Sequence, residues 1–348
     1  SQTMRSDCDR RRWWMVSIGK LSRVGGVPAR PSQLLAAAPS LARNALGGAL
    51  HIMDSAETTP APLWKRIVDF PLVTMLIALA LIAAVVTPVN LAANALAKPL
   101  GWDIVEPMAT VTVIAALMGL QKLVLRRLGA RKHDDLPFAA APRQLAAGAV
   151  GAGALFTLIV GIAALLGAYV IEGWGGMTSW VFILFWTGFN AGFVEELIFR
   201  GVMFRWIEEF GGSWAALVIT SALFGLVHMG NDNATWMSGL TIAAVAGTLL
   251  GGAYMLTRSL WLPVGLHFGW NVTQGLVWDV PVSGMDVDGL VKARLVGDPL
   301  ISGGAFGLEA SVIALVVGGA AGAWMVWRAV AAGEVMQPWW VRRRLAAA

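Results

Sequence analysis

Residues 70–96 read FPLVTMLIALALIAAVVTPVNLAANAL, without a single charged side chain. A helix that crosses a bilayer needs about 20 largely apolar residues, and this run exceeds that length. It is also too long for a barrel strand, and in lipid the backbone must satisfy its own hydrogen bonds, so the run is read as a membrane helix. The same reading extends along the chain to 104–125, 144–171, 178–207, 213–230, 237–257, 260–278 and 309–331. The fold class is therefore all-α: a polytopic transmembrane helical bundle of about eight spans.

Composition agrees with this. Of 348 residues, 57% are hydrophobic and 14% charged, against roughly 25% charged in an average soluble domain. Cys8 is the only cysteine, which excludes a disulfide framework and a cysteine-based metal cluster. The net charge of +5 would suit a nucleic-acid partner, but the placement of the basic residues argues against one. With the N-terminus inside, 23 of the 26 Lys and Arg fall on the cytoplasmic side and only Lys98, Lys292 and Arg294 outside. Cytoplasmic segments carry such an excess, so the basic residues report topology, with both termini cytoplasmic and no nucleic-acid partner.

The chain divides into a basic segment 1–69, expected to be disordered and cytoplasmic, a transmembrane domain 70–331 with a polar core at 178–278, and a basic cytoplasmic tail 332–348. Arg10, Arg11 and Arg12 precede Trp13 and Trp14, and no apolar segment leads to a small-residue cleavage site. Residues 1–52 are expected to be dispensable, with Met53 a plausible native start.

Several motifs carry no chemistry. Gly148, Gly151 and Gly153 imitate a dinucleotide loop but follow no strand. They read as close helix packing, as do Gly247, Gly251, Gly252, Gly318, Gly319 and Gly322. Asp286, Val287, Asp288 and Gly289 lack the remaining ligands of a calcium loop. Gly211, Gly212 and Ser213 read as a turn and helix cap. No His-Glu-x-x-His or Gly-x-Gly-Asp is present.

Ionisable groups inside a bilayer are costly and mark function. Glu195, Glu196 and Arg200 interrupt the fourth span, His228 the fifth, and His267 with Asn271 the seventh. Residues four apart share a helix face. Glu196 can thus pair with Arg200, while Glu195 is turned about 100° away and free to face another neighbour. Phe224 and His228 share a face, as do His267 and Asn271. At about 1.5 Å per residue from the cytoplasmic ends, Glu195 lies roughly 18 Å deep, His228 roughly 22 Å, His267 roughly 11 Å and Asn271 roughly 17 Å. They reach a similar zone.

These residue types suit hydrolysis. A carboxylate in low dielectric can take a proton from water, an imidazole can hold that water or a metal, and an amide with a second imidazole can donate to an oxyanion. Glu195, His228 and His267 could also hold zinc with one open position, and spacing does not choose between metal-bound and metal-free water.

Glu195-Glu196-x-x-x-Arg200, Phe224-x-x-x-His228 and His267-x-x-x-Asn271, in that order on successive helices, resemble the CPBP family: the CAAX proteases and bacteriocin-processing enzymes, including type II CAAX prenyl endopeptidases and Abi proteins. The resemblance covers roughly 178–278. It implies an intramembrane endopeptidase, often labelled a metalloprotease, in which Glu195 activates water with help from His228. His267 and Asn271 would stabilise the oxyanion, Glu196 and Arg200 would hold the helices, and Phe224 would pack beside the site. A glutamate mechanism is the favoured expectation, with zinc left open. The expected substrate is a membrane-embedded or lipidated peptide, prenylated or leader-bearing, whose scissile bond enters from the cytoplasmic side of the bacterial inner membrane. A non-catalytic scaffold or immunity protein of the same fold is the alternative. A proton-coupled transporter would show a second copy of the polar set in a repeat, and there is none.

Overall fold

The computed structural model describes residues 62–347, together with a two-residue strand pair, β1 (Arg23–Val24) and β2 (Val27–Pro28). Apart from that pair, the expectations for residues 1–52 and Met53 lie outside the described residues. Where segment 1–69 was expected to lack structure, Leu63–Val68 forms a short helix, α1.

Helix α2 (Pro71–Leu100) starts with proline at its first turn, where a missing N–H costs nothing. It is joined at Gly101 to α3 (Trp102–Leu123). Then come α4 (Ala141–Leu165), strand β3 (Tyr169–Trp174), a continuous helical stretch α5 (Phe182–Gly230), α6 (Trp236–Thr257) and α7 (Trp261–Val272), whose winding continues through Val277. Strand β4 (Val291–Leu295) and helices α8 (Val312–Ala331) and α9 (Trp339–Ala347) follow.

Six of these helices, over Pro71–Leu100, Trp102–Arg127, Phe138–Leu165, Phe182–Gly230, Trp236–Thr257 and Val312–Ala331, are long and apolar enough to cross a membrane. The chain is an integral, multi-pass membrane protein, but the expected eight spans are not all reproduced. The helix over 261–277 is short for a crossing. The fourth and fifth expected spans run together as the 49 residues of α5.

That stretch nevertheless turns back on itself. Gly212 sits inside it at φ 84°, ψ 168°, a conformation open to glycine and strained for other residues. Phe199 and Phe224, twenty-five residues apart, would be separated by about 38 Å on a straight helix, yet their ring centroids are 4.9 Å apart. The legs 182–211 and 213–230 therefore lie side by side. The glycine-rich turn read in the sequence is present, though Ser213 does not cap the second leg: its hydroxyl donates to Glu208 and accepts from the Met336 N–H.

The third span ends earlier than expected. Gly167 adopts φ 75° and ends the helix, so 169–174 leaves the bundle as β3 and pairs antiparallel with β4, Tyr169 opposite Leu295 and Trp174 opposite Val291. The two ends of the bundle differ in charge. At one end Arg205 meets Asp135, and Arg258 meets both Glu208 and Glu334. At the other, Asp288 accepts from Thr178 and Gly176, and Asn231 donates to the Ser283 carbonyl.

Helices α4 and α7 touch backbone to backbone. A Cβ on Gly148 would lie 2.6 Å from the Leu266 nitrogen, and one on Gly269 would lie 2.3 Å from the Ala149 oxygen. The close packing expected of Gly148 is therefore real, whereas Gly151 and Gly319 face nothing within 4 Å. This contact fixes α7, and with it His267 and Asn271.

Candidate active site

The first leg of α5 carries the paired carboxylates. Residues 191–196 are α-helical between two wider π-wound stretches, 182–190 and 197–204, and another π-wound stretch, 273–277, follows Asn271. Such windings recur at functional sites because they re-aim side chains at a small cost to the backbone ladder.

Glu196 and Arg200 form the expected pair, Oε1 to Nη1 at 2.9 Å, with both side chains fully buried. The guanidinium also donates to the Ala246 carbonyl at 3.1 Å and stacks over the Phe224 ring at 4.6 Å. The same Glu196 oxygen accepts from His267 Nδ1 at 2.9 Å. One carboxylate thereby locks three helical segments: its own leg of α5, α6 through Arg200, and α7 through His267. The sequence did not show that Glu196 would orient His267, because the two are 71 residues apart.

Glu195 faces the other way, as helical geometry required. Its Oε2 is shielded and without a hydrogen-bond partner among the described residues, and it lies 4.0 Å from His228 Nε2. His228 Nδ1 donates to the Phe224 carbonyl at 2.7 Å. A carbonyl only accepts, so Nδ1 carries a proton and, in the neutral ring, Nε2 holds a lone pair turned toward Glu195. Phe224 packs on His228 at 4.7 Å and edge-on to His267 at 6.2 Å. It packs against both histidines.

Asn271 donates one amide hydrogen to the Thr187 carbonyl at 2.8 Å, which fixes its rotamer and leaves a second N–H. His228, His267, Asn271 and Phe224 line one cavity, whose remaining wall is mostly apolar, from Ile242 through Leu250 on α6 and Leu266 and Trp270 on α7. Glu195 is not part of that lining and approaches from beyond His228. Of the seven residues singled out in the sequence, all seven are thus brought together, six of them through direct contacts with one another.

The cavity also contains Ser283 and Glu309, which the sequence reading passed over. Glu309 stands at the head of the last apolar run, where an acidic residue reads as a helix-start group favoured by the helix dipole. Its packing neighbours Phe306 and Ala310 join Phe199 and Phe224 in one buried cluster.

Among the described residues no group of three or more His, Cys, Asp or Glu is placed to hold a metal ion. In both rings the Nδ1 hydrogen bond, to Glu196 for His267 and to the Phe224 carbonyl for His228, leaves Nε2 as the atom that could ligate.

No curated protein and no solved structure matches the chain. Residues 177–273 do match the family model described as type II CAAX prenyl endopeptidase Rce1-like. That segment holds all three motifs, and it is over this part of the chain that the protein is similar to CAAX-type endopeptidases.

Proposed function

We propose that the protein is an intramembrane endopeptidase in which Glu195 activates the attacking water. The observation that carries this reading is the 4.0 Å gap between the unpartnered Glu195 Oε2 and His228 Nε2. Both atoms accept hydrogen bonds. A water with one hydrogen on each fits a gap of this size at ordinary donor–acceptor distances of about 2.8 Å.

In that geometry the water loses a proton to Glu195 as its oxygen attacks the scissile carbonyl carbon. The developing oxyanion receives the second amide N–H of Asn271 and, with both ring nitrogens protonated, the Nε2–H of His267. Preorganised donors of this kind act on charge that appears only in the transition state. Collapse of the tetrahedral intermediate breaks the C–N bond, and the proton held by Glu195 passes to the leaving amine. Glu196, Arg200 and Phe224 position His267 and His228 and touch no reacting atom. The substrate is a membrane-embedded or lipidated peptide in the bacterial inner membrane.

Glu195→Gln tests the reading. Gln is isosteric but cannot take the proton, so hydrolysis of membrane peptides should fall at least 100-fold while the thermal midpoint in detergent stays within about 2 °C of wild type. The products that vanish from the membrane peptidome of the variant identify the substrate. Unchanged peptide profiles in both Glu195→Gln and His228→Ala, with normal folding, would instead favour a non-catalytic scaffold.

A further inference from the structure

We infer that Glu309 makes the reaction cavity selective for peptides with a basic side chain next to the scissile bond. This rests on the peptidase reading above and names its substrate class. Glu309 is 8% exposed. Its Oε1 accepts from the Ser283 backbone N–H and, at 3.2 Å, from the Gln274 amide. The donor loop is built for this contact: Ser283 and Gly284, at φ 50° and 88°, form the tip of a tight turn closed by Val282 and Met285. Two positive φ values at the centre of such a turn are the primed geometry, and a non-glycine held there is over-determined by its surroundings.

The second oxygen, Oε2, accepts no hydrogen bond among the described residues, and Glu309 lines the cavity that also holds His228, His267 and Asn271. A buried carboxylate is normally paired. Here no Lys or Arg lines the cavity, and His228 points its free nitrogen at Glu195. Among the lining groups only the two histidines can carry positive charge, and a basic side chain of the ligand would complete the pairing. The aliphatic wall from Ile242 to Leu250 would take the apolar stem of a Lys or Arg whose charged head reaches Glu309.

The test uses the full chain in nanodiscs and a set of membrane-anchored peptides that differ at one position, scanned across the scissile bond, as Lys, Ala or Glu. Wild type should show a kcat/KM at least tenfold higher for Lys than for Ala at one position. Glu309→Gln, which keeps the acceptor toward Ser283, should collapse that ratio to near one, and Glu309→Lys should invert the preference toward Glu. Binding of the same peptides to the Glu195→Gln protein, followed by tryptophan fluorescence, should show the same Lys-over-Ala ratio and lose it in Glu195→Gln/Glu309→Gln. A wild type that cleaves without preferring Lys at any position overturns the proposal and leaves the peptidase reading standing. A wild type that cleaves nothing overturns the peptidase reading, and the binding ratios then decide the proposal separately. Folding of each variant is verified by its thermal midpoint.

Discussion

Two adjacent carboxylates, Glu195 and Glu196, have opposite fates because one residue of helical rotation separates them. Glu196 is paired: Arg200 and His267 both bond to its Oε1, while its Oε2 is buried without a hydrogen-bond partner among the described residues. Glu195 Oε2 is shielded and has no hydrogen-bond partner among the described residues. On the proposed function the ion-paired carboxylate holds the helices and the unpaired one acts on water, as buried charge is stable only when paired. Arg200→Met should therefore unfold the site, not merely slow it. It removes the counter-charge of a fully buried carboxylate and should cost about 3–5 kcal/mol, seen as lost yield and a lowered thermal midpoint in detergent. Glu196→Gln/Arg200→Met, which removes both charges, should recover part of that loss. A single variant as stable as wild type would mean the pair is not needed for the helix arrangement.

At the scale of elements, what was legible followed helical period and what was not required distant partners. The apolar runs gave most of the helices, and four-residue spacing correctly joined Glu196 to Arg200 and Phe224 to His228. The glycine pair before Ser213 read correctly as a turn, confirmed by Gly212 at φ 84°. Strands β3 and β4 are not legible locally because 169–171 continues an apolar run, and only its pairing with a segment more than 120 residues away makes it a strand. The same holds for Glu309, since its bond to Ser283 comes from a loop that no local pattern connects to it. Small residues predict close packing, and the structure separates those that pack from those that do not. Gly269→Ala places a Cβ 2.3 Å from the Ala149 oxygen, while Gly151→Ala meets nothing within 4 Å. Overpacking of this kind costs about 1–3 kcal/mol. Gly269→Ala should thus lower the thermal midpoint and slow catalysis by displacing His267 and Asn271, whereas Gly151→Ala should change neither. Equal midpoints for the two variants would remove the α4–α7 contact from the account of how the site is held.

Across the whole molecule, basic residues and reaction cavity lie at different ends. Arg205 and Arg258 tie the segments around residues 131–135, 208 and 334 together at the basic end. The cavity instead takes Ser283 and Glu309 from the end where Asp288 and Asn231 make their bonds. Basic loops remain in the cytoplasm, so on this rule the cavity's loop-built wall faces away from it, and the scissile bond would arrive from the opposite side to the one the sequence reading assigned. The orientation is directly measurable, because Cys8 is the chain's only cysteine. In a Cys8→Ser background, Asp286→Cys should react with a membrane-impermeant maleimide on intact cells. Lys132→Cys, at the basic end, should react only after the membrane is opened. Both residues are exposed in the fold, so failure to label reports side and not burial. The reverse pattern would place Ser283 and Glu309 toward the cytoplasm and return substrate access to that side, with the positive charges then held outside by the ion pairs that Asp135, Glu208 and Glu334 provide.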